Sequence, residues 1–157
     1  MKNSILGGRF LPVVIACAIG ASGAALAADP DEIIDYRQGA MQVTKYHFST
    51  IADMLKGKIE YDEAAVKKHA DVVQLMSTLV KDEFPEGTDA LAGETNALID
   101  VWDKPDEFAD KVAEFEETAI ELEKAAESGD KARLAAAVKD VGSSCKACHD
   151  DFRQDDE

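Results

Sequence analysis

The chain has 157 residues, of which 32 are acidic and 17 basic, giving a formal charge of −15 at neutral pH. A surface of that sign repels nucleic acid and anionic lipid, so neither is an expected partner. Three cysteines in a chain of this length exclude a fold held together mainly by disulfides.

Residues 1–27 read as an export signal. Lys2 and Arg9 precede the apolar run Phe10–Ile19, and the small residues of Ala25-Leu26-Ala27 come just before the first acidic residue, Asp29. That is the layout of a secretory signal peptide cut after Ala27. A membrane anchor is the weaker reading, because Gly20, Ser22 and Gly23 break an apolar stretch already short for a span. Val14-Ile15-Ala16-Cys17 loosely resembles a lipidation box, but the apolar run continues past it to the better cleavage site. Cleavage leaves residues 28–157, one domain with a single core, and removes Cys17. All the acidic residues remain while Lys2 and Arg9 are lost, so the mature chain carries a formal charge of −17. The expectation is a periplasmic protein without stable membrane insertion. A charged protein partner would present a basic face, although solubility alone accounts for the same acidity.

Asp29-Pro30-Asp31-Glu32 predicts a helix start, with Asp29 as N-cap and Pro30 at the first helical position. Ile34, Met41, Phe48 and Leu55 then recur every seven residues, with Ile51 between the last two, until Gly57 ends the pattern. A second stripe, Val66, His69, Val73, Met76 and Val80, follows Asp62 and stops at Phe84-Pro85-Glu86-Gly87. Residues 85–103 show no sustained period, and a connection that long in a compact domain has a task or a short helix of its own. Asp103 and Pro105 announce a third helix with the stripe Phe108, Val112, Phe115, Ala119 and Leu122, ending at Gly129. Asp130 caps a fourth, whose stripe is Leu134, Val138, Val141, Cys145, Cys148 and Phe152. No segment alternates with period two, so the predicted fold is all-α, an antiparallel up-down four-helix bundle.

The fourth stripe contains Cys145-Lys146-Ala147-Cys148-His149. Two thiols three residues apart followed directly by an imidazole are what attachment of a c-type haem requires, two thioether bonds to the vinyl groups and a nitrogen for the iron. A zinc site would need two further ligands, and the mature chain has no other cysteine; a thioredoxin-like dithiol would need a βαβ setting. Because both cysteines continue the apolar stripe, the haem is expected to face the bundle core, with His149 as its proximal ligand.

The group across the iron decides between a vacant position that admits a small molecule and a sixth ligand that favours electron transfer. By spacing, Met41 and Met76 lie at the level of the motif and Met54 near the opposite end. A methionine on a core stripe also has an ordinary packing role. His47 and His69 each fall about 9 Å, almost two turns, from those levels and read as hydrogen-bonded or partly exposed side chains.

Three segments resemble the cytochrome c prime family of class II c-type cytochromes and its low-spin relatives: Tyr36-Arg37-Gln38-Gly39-Ala40-Met41, Phe84 through Gly87-Thr88, and Val141 through His149 with Phe152-Arg153. The resemblance implies thioether links at Cys145 and Cys148 to one haem c, iron ligation by His149, and Arg153 close to the proximal face. It also implies haem and propionate contacts from Arg37 and Gln38. Met41 stands where gas-binding members carry a covering residue, often leucine, and where low-spin relatives carry the ligating methionine. Lys81 departs from members with an aromatic residue beside the haem. The expectation is therefore a mono-haem electron carrier ligated by His149 and Met41, closer to the low-spin relatives, that catalyses no bond chemistry and exchanges electrons with redox partner proteins. The alternative is a five-coordinate protein binding nitric oxide or carbon monoxide. Members of the family often dimerise through the first two helices, so a homodimer is also implied.

Overall fold

The computed structural model describes residues 29–154, so the expected signal peptide and Cys17 lie outside the described residues. The first long helix, α1, spans Pro30–Leu55 and begins as the sequence predicts, with the Asp29 carboxylate accepting from the Asp31 N–H. The second, α2, spans Glu63–Ser77, with Asp62 accepting from the Ala65 N–H, and continues into a 3-10 turn at Val80–Asp82. A one-turn helix α3, Asp100–Asp103, precedes α4, Pro105–Ser128, and α5 covers Lys131–Phe152. Among the described residues the sole β pairing is an isolated bridge between Ala97 and Arg153.

Each long helix packs on its neighbours in chain order, α1 on α2, α2 on α4 and α4 on α5, while α1 and α5 touch least. This closes an up-down ring with one loose seam. The start of α4 differs from the sequence reading: Asp103 ends α3, and Lys104, without a side-chain cap bond, is the N-cap. Pro105 explains the shift, since the residue before a proline is pushed out of the helical region. The two helices therefore break between Asp103 and Pro105.

The buried line of α1 is also displaced from the heptad stripe. It runs through Ile34, Arg37, Ala40, Ile51, Ala52 and Met54, while Met41, Phe48 and Leu55 are half-buried. Those three turn toward the α1–α5 seam, where Phe48 and Leu55 meet Val138 and Gly142 across a smaller cavity. In α2 the buried line is Val66, Ala70, Val73 and Ser77, leaving His69 and Met76 half-buried beside it. A helix in a four-membered ring touches two neighbours, so its apolar face is wider than one stripe.

Val73, Ala119, Leu122 and Val141 are fully buried and tie α2, α4 and α5 into one core. Its buried serines are satisfied locally: Ser77 donates to the Gln74 carbonyl, Ser144 donates to Val141, and the Thr118 and Ser144 hydroxyls stand 3.0 Å apart.

Candidate haem site

The loose seam opens into a cavity of about 880 Å³ at the end where α5 finishes. Arg37, Gln38 and Met41 of α1 border one side and Cys148, His149 and Phe152 of α5 the other. Val80, Phe84, Val101 and Phe108 add apolar wall, and residues 90–97 close the remaining edge.

The long connection thus has both a helix and a task. Its backbone is stitched to the end of α5, with Leu98 N–H donating to the Phe152 carbonyl at 2.9 Å and Gln154 N–H to Asn96 at 2.8 Å. On the α1 side Gln38 donates through Nε2 to the Glu94 carbonyl at 2.7 Å. Trp102 donates its indole N–H to the Phe84 and Pro85 carbonyls at 3.2 and 3.1 Å.

Arg37 is the clasp. Only 3% exposed, it donates through Nη1 to Thr88 Oγ1 at 3.0 Å and through Nη2 to the Thr88 carbonyl at 2.7 Å and Thr95 Oγ1 at 2.9 Å. Its guanidinium carbon lies 4.7 Å from the Phe84 ring centroid and 5.7 Å from that of Trp102, within cation–π range. A solvated helix face is therefore ruled out for Arg37, which borders the cavity while holding its loop in place.

Cys145 and Cys148 are half-buried free thiols. Burial raises the Cys145 thiol and pushes that of Cys148 to about 11, with Cys145 adding to the latter effect, so both are neutral near pH 7. Burial, then the Arg153 charge, lowers the His149 imidazole, which keeps a lone pair free to bind a metal. Cys148 and His149 face the cavity directly, while Cys145 packs on the core cluster one helical turn earlier. Arg153, the C-cap of α5, donates its N–H to the His149 carbonyl at 3.1 Å and also borders the cavity.

Met41 reaches the cavity and Met76 does not border it, which separates the two methionines that spacing put at the height of the motif. Met54 is buried in the core, away from the site. His47 and His69 are absent from the lining, and their Nδ1 atoms lie 2.8 Å apart on the other side of α1. Sequence reasoning put Phe108 on a core stripe but missed it, Val101 and residues 90–97 as cavity wall; only the length of the connection hinted at Val101 and residues 90–97.

Two neutral thiols, a neutral imidazole, an apolar wall and the polar side chains of Gln38 and Arg153 fit a covalently held porphyrin with propionates, whereas Arg37, expected from the resemblance to contact them, commits its guanidinium to the loop. Fold and site together define a four-helix c-type haem protein. The family model for cytochrome c′ matches residues 32–153, and the chain belongs to that family, whose members carry a single covalently attached haem c. Cytochrome c′ of Cereibacter sphaeroides is 40% identical over 133 residues, covering 83% of this chain and 88% of that protein. The structure of cytochrome c prime from Shewanella frigidimarina aligns with a TM-score of 0.77 at 35% identity, covering 82% of this chain and 99% of that one. A nitric oxide complex of a leucine-to-alanine variant of cytochrome c prime from Alcaligenes xylosoxidans aligns with a TM-score of 0.76 at 34% identity, covering 83% and 99%. These are cytochromes c′, so the expected lean toward the low-spin relatives finds no support in them.

Proposed function

We propose that the protein binds a small diatomic gas, nitric oxide or carbon monoxide, at the haem iron on the side opposite His149, in the exported space to which residues 1–27 direct it. The carrying observation is the cavity itself, bordered by one imidazole from α5 and by Met41 from α1. The nitric oxide complex of a similar protein adds support. The haem supplies the iron coordination position and the reversible ferric–ferrous couple. With haem bound, His149 would supply the nitrogen for the iron, Cys145 and Cys148 would supply the two thioether links, and Met41 would border the space left for a small ligand. Gln38 and Arg153 would offer polar groups to the propionates, while Arg37, its guanidinium committed to Thr88 and Thr95, would hold the loop that edges the site. No step makes or breaks a covalent bond in a substrate.

A second reading follows from the same side chain. If the Met41 thioether binds the iron, the protein is an electron carrier, and its acidic surface favours redox partners with a basic docking face.

An optical spectrum of the ferric protein and of Met41→Leu separates the readings. Gas binding by a five-coordinate haem predicts high-spin bands in both proteins and prompt carbon monoxide uptake by the ferrous forms. Low-spin bands with a weak far-red absorption in the parent, lost in Met41→Leu, would instead establish methionine ligation.

A further inference from the structure

His47 and His69 face each other across the α1–α2 seam, on the side of α1 away from the haem cavity. Their Nδ1 atoms stand 2.8 Å apart, their ring centroids 4.8 Å apart, and both side chains are half-buried. Tyr46 packs on both rings, at 5.3 and 6.1 Å between centroids. A contact this short between two imidazole nitrogens requires one donor and one lone pair, so at least one ring is neutral. Burial, with Lys68 acting on both rings, lowers both histidines and favours the doubly neutral pair near pH 7.

Two nitrogens on adjacent corners of a square-planar ion, each bound at about 2.0 Å, stand roughly 2.8 Å apart. The helices already hold the two Nδ1 atoms at that spacing, which a divalent ion needs turned outward rather than toward one another.

We propose that His47 and His69 form a two-imidazole site for a square-planar divalent ion, Cu(II) above all, independent of the haem. Imidazole pairs suit copper and nickel, and copper binds nitrogen donors most tightly of the first-row divalent ions. In the free pair one ring carries its proton on Nδ1 and the other on Nε2. Coordination through both Nδ1 atoms moves the first proton to Nε2 by way of water, so the doubly neutral pair releases none. Water fills the other two corners, since among the described residues no cluster of three or more metal-binding side chains exists. The strongly negative mature chain draws cations toward the surface and opposes the local repulsion from Lys68.

The test titrates Cu(II) sulfate into the ferric holoprotein, in which the haem occupies His149, with calorimetry for affinity and electron paramagnetic resonance for ligand type. One equivalent should bind with superhyperfine splitting from two nitrogens. His47→Gln and His69→Gln should each weaken binding at least tenfold and lose nitrogen coupling, with the haem spectrum unchanged. Equal affinity in the parent and both variants, as expected if copper sits only at the chain's amino terminus or on surface carboxylates, would overturn the proposal. So would an all-oxygen spectrum in the parent.

Discussion

Glu83 carries the sharpest local tension in the fold. It is 2% exposed, and neither carboxylate oxygen has a hydrogen-bond partner. Burial raises its pKa from the ordinary 4.5 to about 7, against the opposing pull of the nearby Arg37 charge. Arg37 does not relieve it, because the guanidinium is committed to Thr88, Thr95 and the Glu83 carbonyl rather than the carboxylate. The folded protein therefore holds this proton more tightly than the unfolded chain does. The stability it contributes is complete below pH 4.5 and is lost as pH rises through about 7. Over that window the loss is at most about 3 kcal/mol. Glu83→Gln should flatten the dependence, so denaturant midpoints of the holoprotein at pH 5 and pH 8 should converge in the variant and differ in the parent. Equal pH dependence in both would mean that the carboxyl is solvated. Chemistry at this scale follows burial, which is why Arg37, Gln38 and Glu83 look alike in sequence as polar residues and yet differ in the fold.

At the scale of elements, capping residues set where the cysteine-bearing helix begins. Asp130 accepts from the N–H groups of Ala132 and Arg133 at 2.8 and 3.1 Å and starts the helix that carries both cysteines. Asp130→Ala should cost about 1 kcal/mol in denaturant unfolding. The haem spectrum should not change, because the cap lies at the far end of α5 from His149; a changed spectrum would show that the whole helix shifts. A Cβ on Gly93 would meet the Asp31 carboxylate, the exposed end of a side chain that can swing aside, and come within 3.1 Å of Ile34 Cδ1. Gly93→Ala should therefore be absorbed by side-chain shifts, leaving limited proteolysis of residues 90–97 close to the parent's rate. The four helices were legible from capping residues and apolar periods, which depend on a few neighbouring positions. The break between α3 and α4 was not, because Asp103 and Pro105 together look like a single start.

Across the whole molecule the negative field bears on what approaches the haem edge. Reduction of the ferric protein by a small cationic reagent should slow as ionic strength rises, and reduction by an anionic one should quicken. The same trend with both reagents would show that the local field at the cavity mouth is not that of the chain as a whole. Among the described residues no helix is long and apolar enough to cross a membrane. By itself the sequence determined the four long helices and the Cys145-Lys146-Ala147-Cys148-His149 motif, because each rests on spacing within one segment. Only the tertiary structure decided that Met41, not Met76, borders the cavity, that Arg37 clasps the loop, and that His47 meets His69. Those outcomes depend on how far each helix turns about its axis when it packs on two neighbours, and no single helix's sequence fixes that rotation.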